Sequence, residues 1–350
     1  MGMVLERNMF SRSSVSHQRS IARISRIGIG GVAAAYARVT TVPDLVDAVI
    51  WYNAHRAEYK KSPLMIIGGA TNVLFSDALI SNFIIHNQTS EIISLDKSAL
   101  WIGSGTQMDD VVNYCLRHSR SGLSWAAGLP GTIGGAVYGN AGAFGGQMDR
   151  CVIGVVSLEK RNGVFALRYR NRAACSFGYR TSIFKQTSSR GAEMVVVAVV
   201  VAAPHARTVF NEREKAFDHR RYRCARHPVA ARTLGSTFQN VPVNKIPAQT
   251  YAELADRIKQ DPFPVIPAAV LLDRAGCKSL HVGGASFSAR HANFIVASGK
   301  TSADDVKKLC RQAQARVRRR FGVALVPEII MHGEKFSSVP HRQKPVRSRK

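Results

Sequence analysis

The chain has 350 residues, 45% apolar and 21% charged. That balance excludes a wholly disordered polymer, and the length exceeds one small core, so two or three packed subdomains are expected. The 49 Lys and Arg against 23 Asp and Glu leave a net charge of +26, which predicts attraction to polyanions such as nucleic acid, lipid head groups or phosphorylated small molecules and carries no information on fold. Six cysteines (Cys115, Cys151, Cys175, Cys224, Cys277, Cys310) include no Cys-x-x-Cys pair. Neither a metal site nor a redox dithiol is expected, and scattered free thiols fit a reducing cytosol.

In chain order, residues 1–26 alternate Arg and Ser (Arg12, Arg19, Arg23, Arg26) without an apolar segment. This reads as a frayed basic extension, or an imitation of a transit peptide, and not as a secretory signal. Residues 40–60 predict a helix with Leu45, Val46, Val49, Ile50 and Tyr52 on one face. Leu64–Ile67 is a short apolar strand running into Gly68-Gly69, and residues 107–118 form an amphipathic helix. Strands are expected around Val152, Val155 and Val156, over residues 164–169, and over residues 194–202. The run at 194–203 (MVVVAVVVAA) is about half the ~20 residues a bilayer span needs, so it reads as a buried strand. Residues 302–321 predict a helix opened by Ser302 and Asp305, with Val306, Leu309, Cys310, Ala313 and Val317 as its buried stripe. A closing strand follows at 324–331, then a basic tail (Lys335, Arg342, Lys344, Arg347, Arg349, Lys350) expected to be disordered. Both basic ends read as solvated extensions, with nucleic-acid binding as the alternative. The irregular alternation of helix and strand points to an α+β fold in several subdomains.

Two glycine-rich segments carry the first chemical signal. Residues 128–146 hold eight glycines in nineteen, against 28 in the whole chain, and embed Pro130, Ile133, Val137 and Phe144, which require burial. Glycine lets backbone approach a ligand and turn its N–H groups toward a pyrophosphate, so this segment reads as a cradle and not a linker. Gly68-Gly69-Ala70-Thr71-Asn72 ends a strand with further donors, but the spacing is not Gly-x-Gly-x-x-Gly and does not support a Rossmann site. Two such loops about sixty residues apart suggest one dinucleotide laid between two subdomains. Further on, Arg180, between Tyr179 and two hydroxyls, reads as an anion clamp or as a surface arginine. Ser236 after Gly235 reads as a nucleophile or acid, or as a turn serine. Glu328 in an apolar strand should have a partner, because an unpaired buried carboxylate is costly.

The order of these pieces resembles the MurB-type UDP-N-acetylenolpyruvoylglucosamine reductases, flavoenzymes of peptidoglycan precursor synthesis. The markers are Gly-Gly-Ala-Thr-Asn at 68–72, Gly-Leu-Pro-Gly-Thr-Ile-Gly-Gly from 128, Phe-Gly-Tyr-Arg at 177–180, Gly-Ser-Thr-Phe-Gln-Asn at 235–240, Gly-Gly-Ala-Ser-Phe-Ser-Ala-Arg-His-Ala-Asn-Phe at 283–294 and Pro-Glu at 327–328. The resemblance runs from about residue 27 to residue 330. The chain departs from the family with Ala70 where glycine is common and Val241 where proline follows the asparagine. The short stretch between Phe177 and Gly235 is similar to the branch without an extra substrate-covering loop.

The resemblance implies a two-subdomain FAD-binding fold of the vanillyl-alcohol-oxidase (PCMH) type plus a C-terminal α+β substrate-binding domain. The implied division is an extension at 1–26, FAD-binding subdomains at 27–90 and 91–210, a substrate domain at 211–333 and a tail at 334–350. Gly68, Gly69, Ala70, Thr71, Asn72, Gly128, Pro130, Gly131, Thr132, Gly134 and Gly135 would hold FAD. Attachment is expected to be non-covalent, since neither loop contains histidine. NADPH would supply hydride to FAD; hydride then passes to C3 of the enolpyruvyl ether of a UDP-sugar, and C2 is protonated. Arg180, Ser236 and Glu328 are implied as catalytic, with Ser236 the proton donor. Tyr179, Asn240, Lys278 and His291 are implied as substrate-binding. A cytoplasmic enzyme with no nucleic-acid partner and no membrane span is expected. The competing expectations are a sugar or alcohol oxidase on the same scaffold and a basic nucleic-acid-binding protein.

Overall fold

Two largely buried strands, Val32–Val39 and Ile80–Asn87, pair in parallel, and Leu64–Ile67 joins the far side of Ile80–Asn87. Apolar residues on both faces are what a parallel sheet covered on both sides requires. The structure is a computed structural model that describes residues 10–59, 62–189 and 193–332; the basic tail expected at 334–350 lies outside them. One face of the sheet receives the helix Val42–Ala54, whose N-terminus is capped by Thr41 through Asp44 N and opened by Pro43. The helix buries Leu45, Ala48, Val49 and Tyr52, but Ile50, expected on the same face, is 49% exposed. Five residues of rotation carry it about 140° from Leu45.

Residues 10–26 correct the expectation of a frayed extension. Val15–Ser16 and Arg19–Ser20 add antiparallel to Val32–Val39, and Ile21 is fully buried beside Tyr36, Phe75 and Ile84. The arginines there remain exposed; the anchors are the two isolated apolar residues between them.

The second sheet is antiparallel, in the order Val164–Asn171, Val152–Arg161, Met194–Ala202, Ala99–Gly103, Ile92–Ser94. The valine run lies at its centre, as its composition demands. The helices Met108–Arg117 and Ile133–Gly139 cover one face, while Leu158, Val195 and Val197 on the other share a core with Leu45 and Val49. The helix Val42–Ala54 is therefore packed between the two sheets. The helix Val209–Arg226, placed by sequence at the opening of the third domain, packs instead on the second subdomain and buries Ala216 in its core.

The third region is a four-stranded antiparallel sheet, Arg232–Ser236, Phe294–Ala297, Ala285–Phe287, His281–Val282, backed by the helices Ala268–Arg274 and Ala303–Phe321. The Ser302–Asp305 capping box is present, and the predicted stripe Val306, Leu309, Cys310, Ala313, Val317 is wholly buried. The closing strand is shorter than expected. Only Ile330–His332 pairs regularly, and it pairs in parallel with Val73–Phe75 of the first subdomain, not within its own domain. Among the described residues no helix is long and apolar enough to cross a membrane.

One side chain fixes the turn that carries Ser236 out of its sheet. Asn293, 3% exposed, accepts from Phe238 N at 2.9 Å and donates to Phe238 O at 2.8 Å. Asn293→Asp keeps the acceptor and turns the donor into a second acceptor facing a carbonyl. The expected result is a loss of about 2–3 kcal/mol in urea-unfolding free energy; an unchanged midpoint would show that the clamp is dispensable.

Candidate active site

The two glycine loops interlock backbone to backbone. A Cβ on Gly68 would lie 2.4 Å from Thr132 Oγ1, one on Gly69 would lie 3.2 Å from Gly131 Cα, and one on Gly134 would lie 2.7 Å from Ser104 O. Gly131 has φ +105°, a conformation that costs glycine nothing and other residues a great deal. Thr132 caps the helix Ile133–Gly139, accepting from Gly135 N at 3.3 Å. Beneath the loop, Asn87 donates to Ser104 Oγ at 2.7 Å and Thr89 accepts from Gly105 N at 2.7 Å. The second loop is thus held by a buried polar network. Outside it lies a cleft of about 340 Å³ lined by Gln107, Gly128, Leu129, Pro130 and three arginines. Close-packed glycines beside a basic concavity suit the bridging diphosphate of a dinucleotide, and FAD fits these residues.

The structure brings the sequence-predicted charged pair together. Arg180 Nε lies 2.8 Å from Glu328 Oε1, so Glu328 has the partner its apolar strand required. Burial pushes the Glu328 carboxyl up; Arg180, and more weakly Lys185, oppose the shift. Arg180 has φ +54°, a left-handed conformation that costs a non-glycine residue about 1 kcal/mol or more. Its carbonyl is captured by Lys185 Nζ at 3.0 Å and its Nη1 donates to Gly142 O at 3.4 Å. Asn140, the left-handed cap of the helix Ile133–Gly139, donates to Gly178 O at 2.9 Å and so fastens the Arg180 turn to the second glycine loop. Sequence reasoning does not single out Lys185 and Asn140, because their contacts are to backbone atoms.

The turn that follows Ser236 meets Glu328 from the third domain. The pairing of Arg232–Ser236 with Phe294–Ala297 slips after Thr233, and Gly235 with φ +80° makes the slip. Thr237 O accepts from Glu328 N at 2.8 Å, while Asn72 donates through Nδ2 to Glu328 O at 3.3 Å and accepts from Ile330 N at 2.9 Å through its carbonyl. Glu328 is strung between the first glycine loop and the serine turn.

Tyr179 sits edge-on to Phe263, 5.0 Å between centroids, and its buried hydroxyl has no hydrogen-bond partner among the described residues. Asn240 Oδ1 accepts from Ala268 N at 3.1 Å, so its oxygen is engaged by the backbone. His291 accepts at Nδ1 from Asn293 N at 3.3 Å, so Nε2 carries the proton of the neutral ring. Lys278 stands at the rim, 40% exposed and paired with Asp273 at 2.9 Å. Burial pulls the His291 imidazole down, and the positive charges of Lys259 and Lys278 add to this.

A flavin-binding oxidoreductase is the class of protein that this scaffold and site define. An FAD-binding domain profile matches residues 33–164, and the profile described as UDP-N-acetylenolpyruvoylglucosamine reductase, C-terminal domain matches residues 227–332. The reductase of Alkalilimnicola ehrlichii is 30% identical over 319 residues, covering 91% of this chain and 94% of that one. The reductase of Solibacter usitatus is 27% identical and covers 90% and 96%. The crystal structure of the Thermus caldophilus enzyme shares the fold, with a TM-score of 0.65 at 24% identity over 89% of this chain and 97% of that one. The chain belongs to the UDP-N-acetylenolpyruvoylglucosamine reductase family.

His227 is a residue that sequence reasoning misses. Its ring lies 5.2 Å from His291 and 4.9 Å from Phe294. Burial first, then the charges of His291 and Arg223, push its imidazole down to about 4. The folded state therefore holds this ring neutral where the unfolded chain, near 6.5, takes up a proton. The stability it contributes is complete above about pH 6.5 and is lost as pH falls toward 4. His227→Leu should recover about 1–2 kcal/mol of the acid-induced loss, the full shift being reduced by solvent screening of a partly exposed ring, read from urea titrations between pH 7 and 4. An identical pH slope in the variant would contradict the assignment.

Proposed function

We propose that the chain reduces the enol ether of UDP-N-acetylglucosamine enolpyruvate to UDP-N-acetylmuramate, with NADPH as reductant, in the cytoplasm. The observation that carries this reading is the meeting of Arg180, Glu328 and the Ser236 turn beside interlocked glycine loops. When bound, FAD supplies the hydride, for which Gly68–Asn72 and Gly128–Gly135 form the seat. Nucleotide-sugar and NADPH chemistry, with six free cysteines, supports the cytoplasmic placement.

Hydride arriving at C3 breaks the carbon–carbon π bond and leaves its electron pair at C2, delocalised into the substrate carboxylate. Arg180 supplies fixed positive charge where that negative charge grows. Its guanidinium is held by Glu328, Gly142 and the Lys185-anchored backbone, so little reorganisation is needed. Glu328, its carboxyl raised by burial, donates a hydrogen bond to the enolate when protonated. Ser236 Oγ–H gives its proton to C2. A hydroxyl is a weak acid, but a carbanionic carbon is a strong base. Asn240 through its NH₂ and His291 through Nε2–H donate to the sugar nucleotide; Lys278 meets the diphosphate after leaving Asp273, and Tyr179 lines the pocket.

Two outcomes test this. In an anaerobic titration NADPH should bleach the flavin and the enol ether should restore its colour. Ser236→Ala should leave bleaching within a few-fold of the parent and slow recolouring by about 10²-fold or more; equal slowing of both halves would remove Ser236 from the acid role. For Glu328, a rising pH strips the proton that the reaction uses, so recolouring should slow on the alkaline side of its raised pKa. Glu328→Gln, a donor at every pH, should flatten that limb. A retained alkaline limb would assign it to another group.

A further inference from the structure

The cleft outside the second glycine loop contains a buried cation without an anion. Arg223, on the helix Val209–Arg226, is 8% exposed. Its Nε donates to Ala127 O at 3.0 Å, but its Nη2 is buried with no hydrogen-bond partner among the described residues. Phe144, itself stacked on His219 at 4.1 Å, covers the guanidinium with its centroid 5.0 Å away. Burial pulls this group down to about 10, with Asp109 opposing. Asp109 forms no hydrogen bond with it; its Oδ1 accepts instead from Gly128 N at 2.8 Å and from Arg220 Nη2 at 2.8 Å and Nε at 3.2 Å. A buried guanidinium with an empty donor is costly, and arginine does not escape that cost by losing its proton.

The cleft it faces is continuous with the cradle. Gln107 lines it and also lies 3.6 Å from where a Cβ of Gly69 would be. Arg26, on the opposite wall, donates through its backbone N–H to Ala70 O at 3.2 Å. A Cβ on Gly128, which has φ +69°, would lie 3.2 Å from Arg223 Cδ, so glycine there keeps the arginine against the loop. Arg26, Arg220 and Arg223 against Asp109 leave the lining with two uncompensated positive charges. A bridging diphosphate carries two negative ones.

We propose that Arg223, assisted by Arg26 at the rim, anchors the diphosphate of FAD from the outer side of the Gly128–Pro130 turn. The proposal rests on the flavoenzyme reading, and its ligand is the cofactor, not the sugar nucleotide. Its contribution is to cofactor affinity.

The test uses the full-length chain stripped of flavin and titrated with FAD and with riboflavin, which has the same ring and no phosphate, by flavin fluorescence. Arg223→Gln should weaken FAD about ten- to hundred-fold and leave riboflavin within two-fold; Arg223→Lys should recover part of the loss. The stripped variant should unfold at the parent temperature or above it, since an unpaired buried charge is removed. Unchanged FAD affinity, equal weakening of both flavins, or a change confined to the KM for NADPH would each overturn the assignment. Should Arg223→Gln fail to fold, Arg26→Gln and the salt dependence of the parent decide the matter. FAD binding should weaken with salt and with Arg26→Gln while riboflavin binding does not, and insensitivity overturns the proposal. A parent that binds FAD in this way yet fails to reduce the enol ether would defeat the proposed reaction and leave the anchor standing.

Discussion

The site depends on a backbone tie only a few residues long. Glu328 gives its N–H to Thr237 O and its carbonyl receives Asn72 Nδ2, while Ile330 donates to Asn72 O. Through these bonds the last described strand joins the serine turn of the third domain to the first glycine loop of the first subdomain. The strand Ile330–His332 then pairs beside Val73–Phe75. The tie fixes the main chain from which the Glu328 side chain reaches Arg180. Short hydrogen bonds between distant segments lose little when the segments are already ordered by cores of their own. Each of the three sheets has such a core.

The second subdomain is bound to the others by a different device. The helix Val42–Ala54 is buried against both the first sheet and Leu158, Val195 and Val197 of the second, so the two glycine loops rise from elements that cannot slide apart without opening apolar surface. Backbone contacts such as Gly69 against Gly131 are possible only on so rigid a base, because a gap or clash of about half an ångström at van der Waals distance forfeits much of the contact energy. The left-handed strain at Arg180 is tolerated for the same reason. Lys185 and Asn140 hold both ends of its turn, and a loop fixed this way keeps a guanidinium oriented before any substrate arrives.

Much of this is legible in the sequence where periodicity and local chemistry coincide. The capped helix Ala303–Phe321 follows the 3.6-residue rule with a capping box, and the valine strand Met194–Ala202 declares its burial by composition alone. The glycine segments announce close approach through glycine density, and the resemblance locates Arg180, Ser236 and Glu328 along the chain. The helix Val209–Arg226 is not legible. It buries Glu212, Ala216 and Arg223 and exposes Phe210 and Phe217, the reverse of the pattern that hydrophobic periodicity detects. Residues 10–26 mislead because charge dominates the segment, while Val15 and Ile21, the residues that fix it, are too sparse to form a period. Asn293 and Asp109 escape for a third reason: each acts on groups 19 to 111 residues away, and no local pattern encodes such a distance.

The net charge of +26 becomes intelligible only residue by residue. Many cations are neutralised nearby, as Arg220 is by Asp109, Lys278 by Asp273 and Arg320 by Glu253. The remainder matters where it is buried or shares its anion. At Arg180 the shared anion is Glu328, and a substrate carboxylate approaching the guanidinium must compete for it. Two carboxylates around one arginine repel, so the arrival of the second raises the proton affinity of the first. Burial already pushes Glu328 in that direction. In the proposed reaction, substrate binding would therefore favour the protonated, hydrogen-bond-donating form of Glu328 just as the enolate forms. On that proposal the Arg180–Glu328 ion pair is a resting arrangement: it orients the arginine while the site is empty, and the substrate's own charge would convert its carboxylate half into a donor.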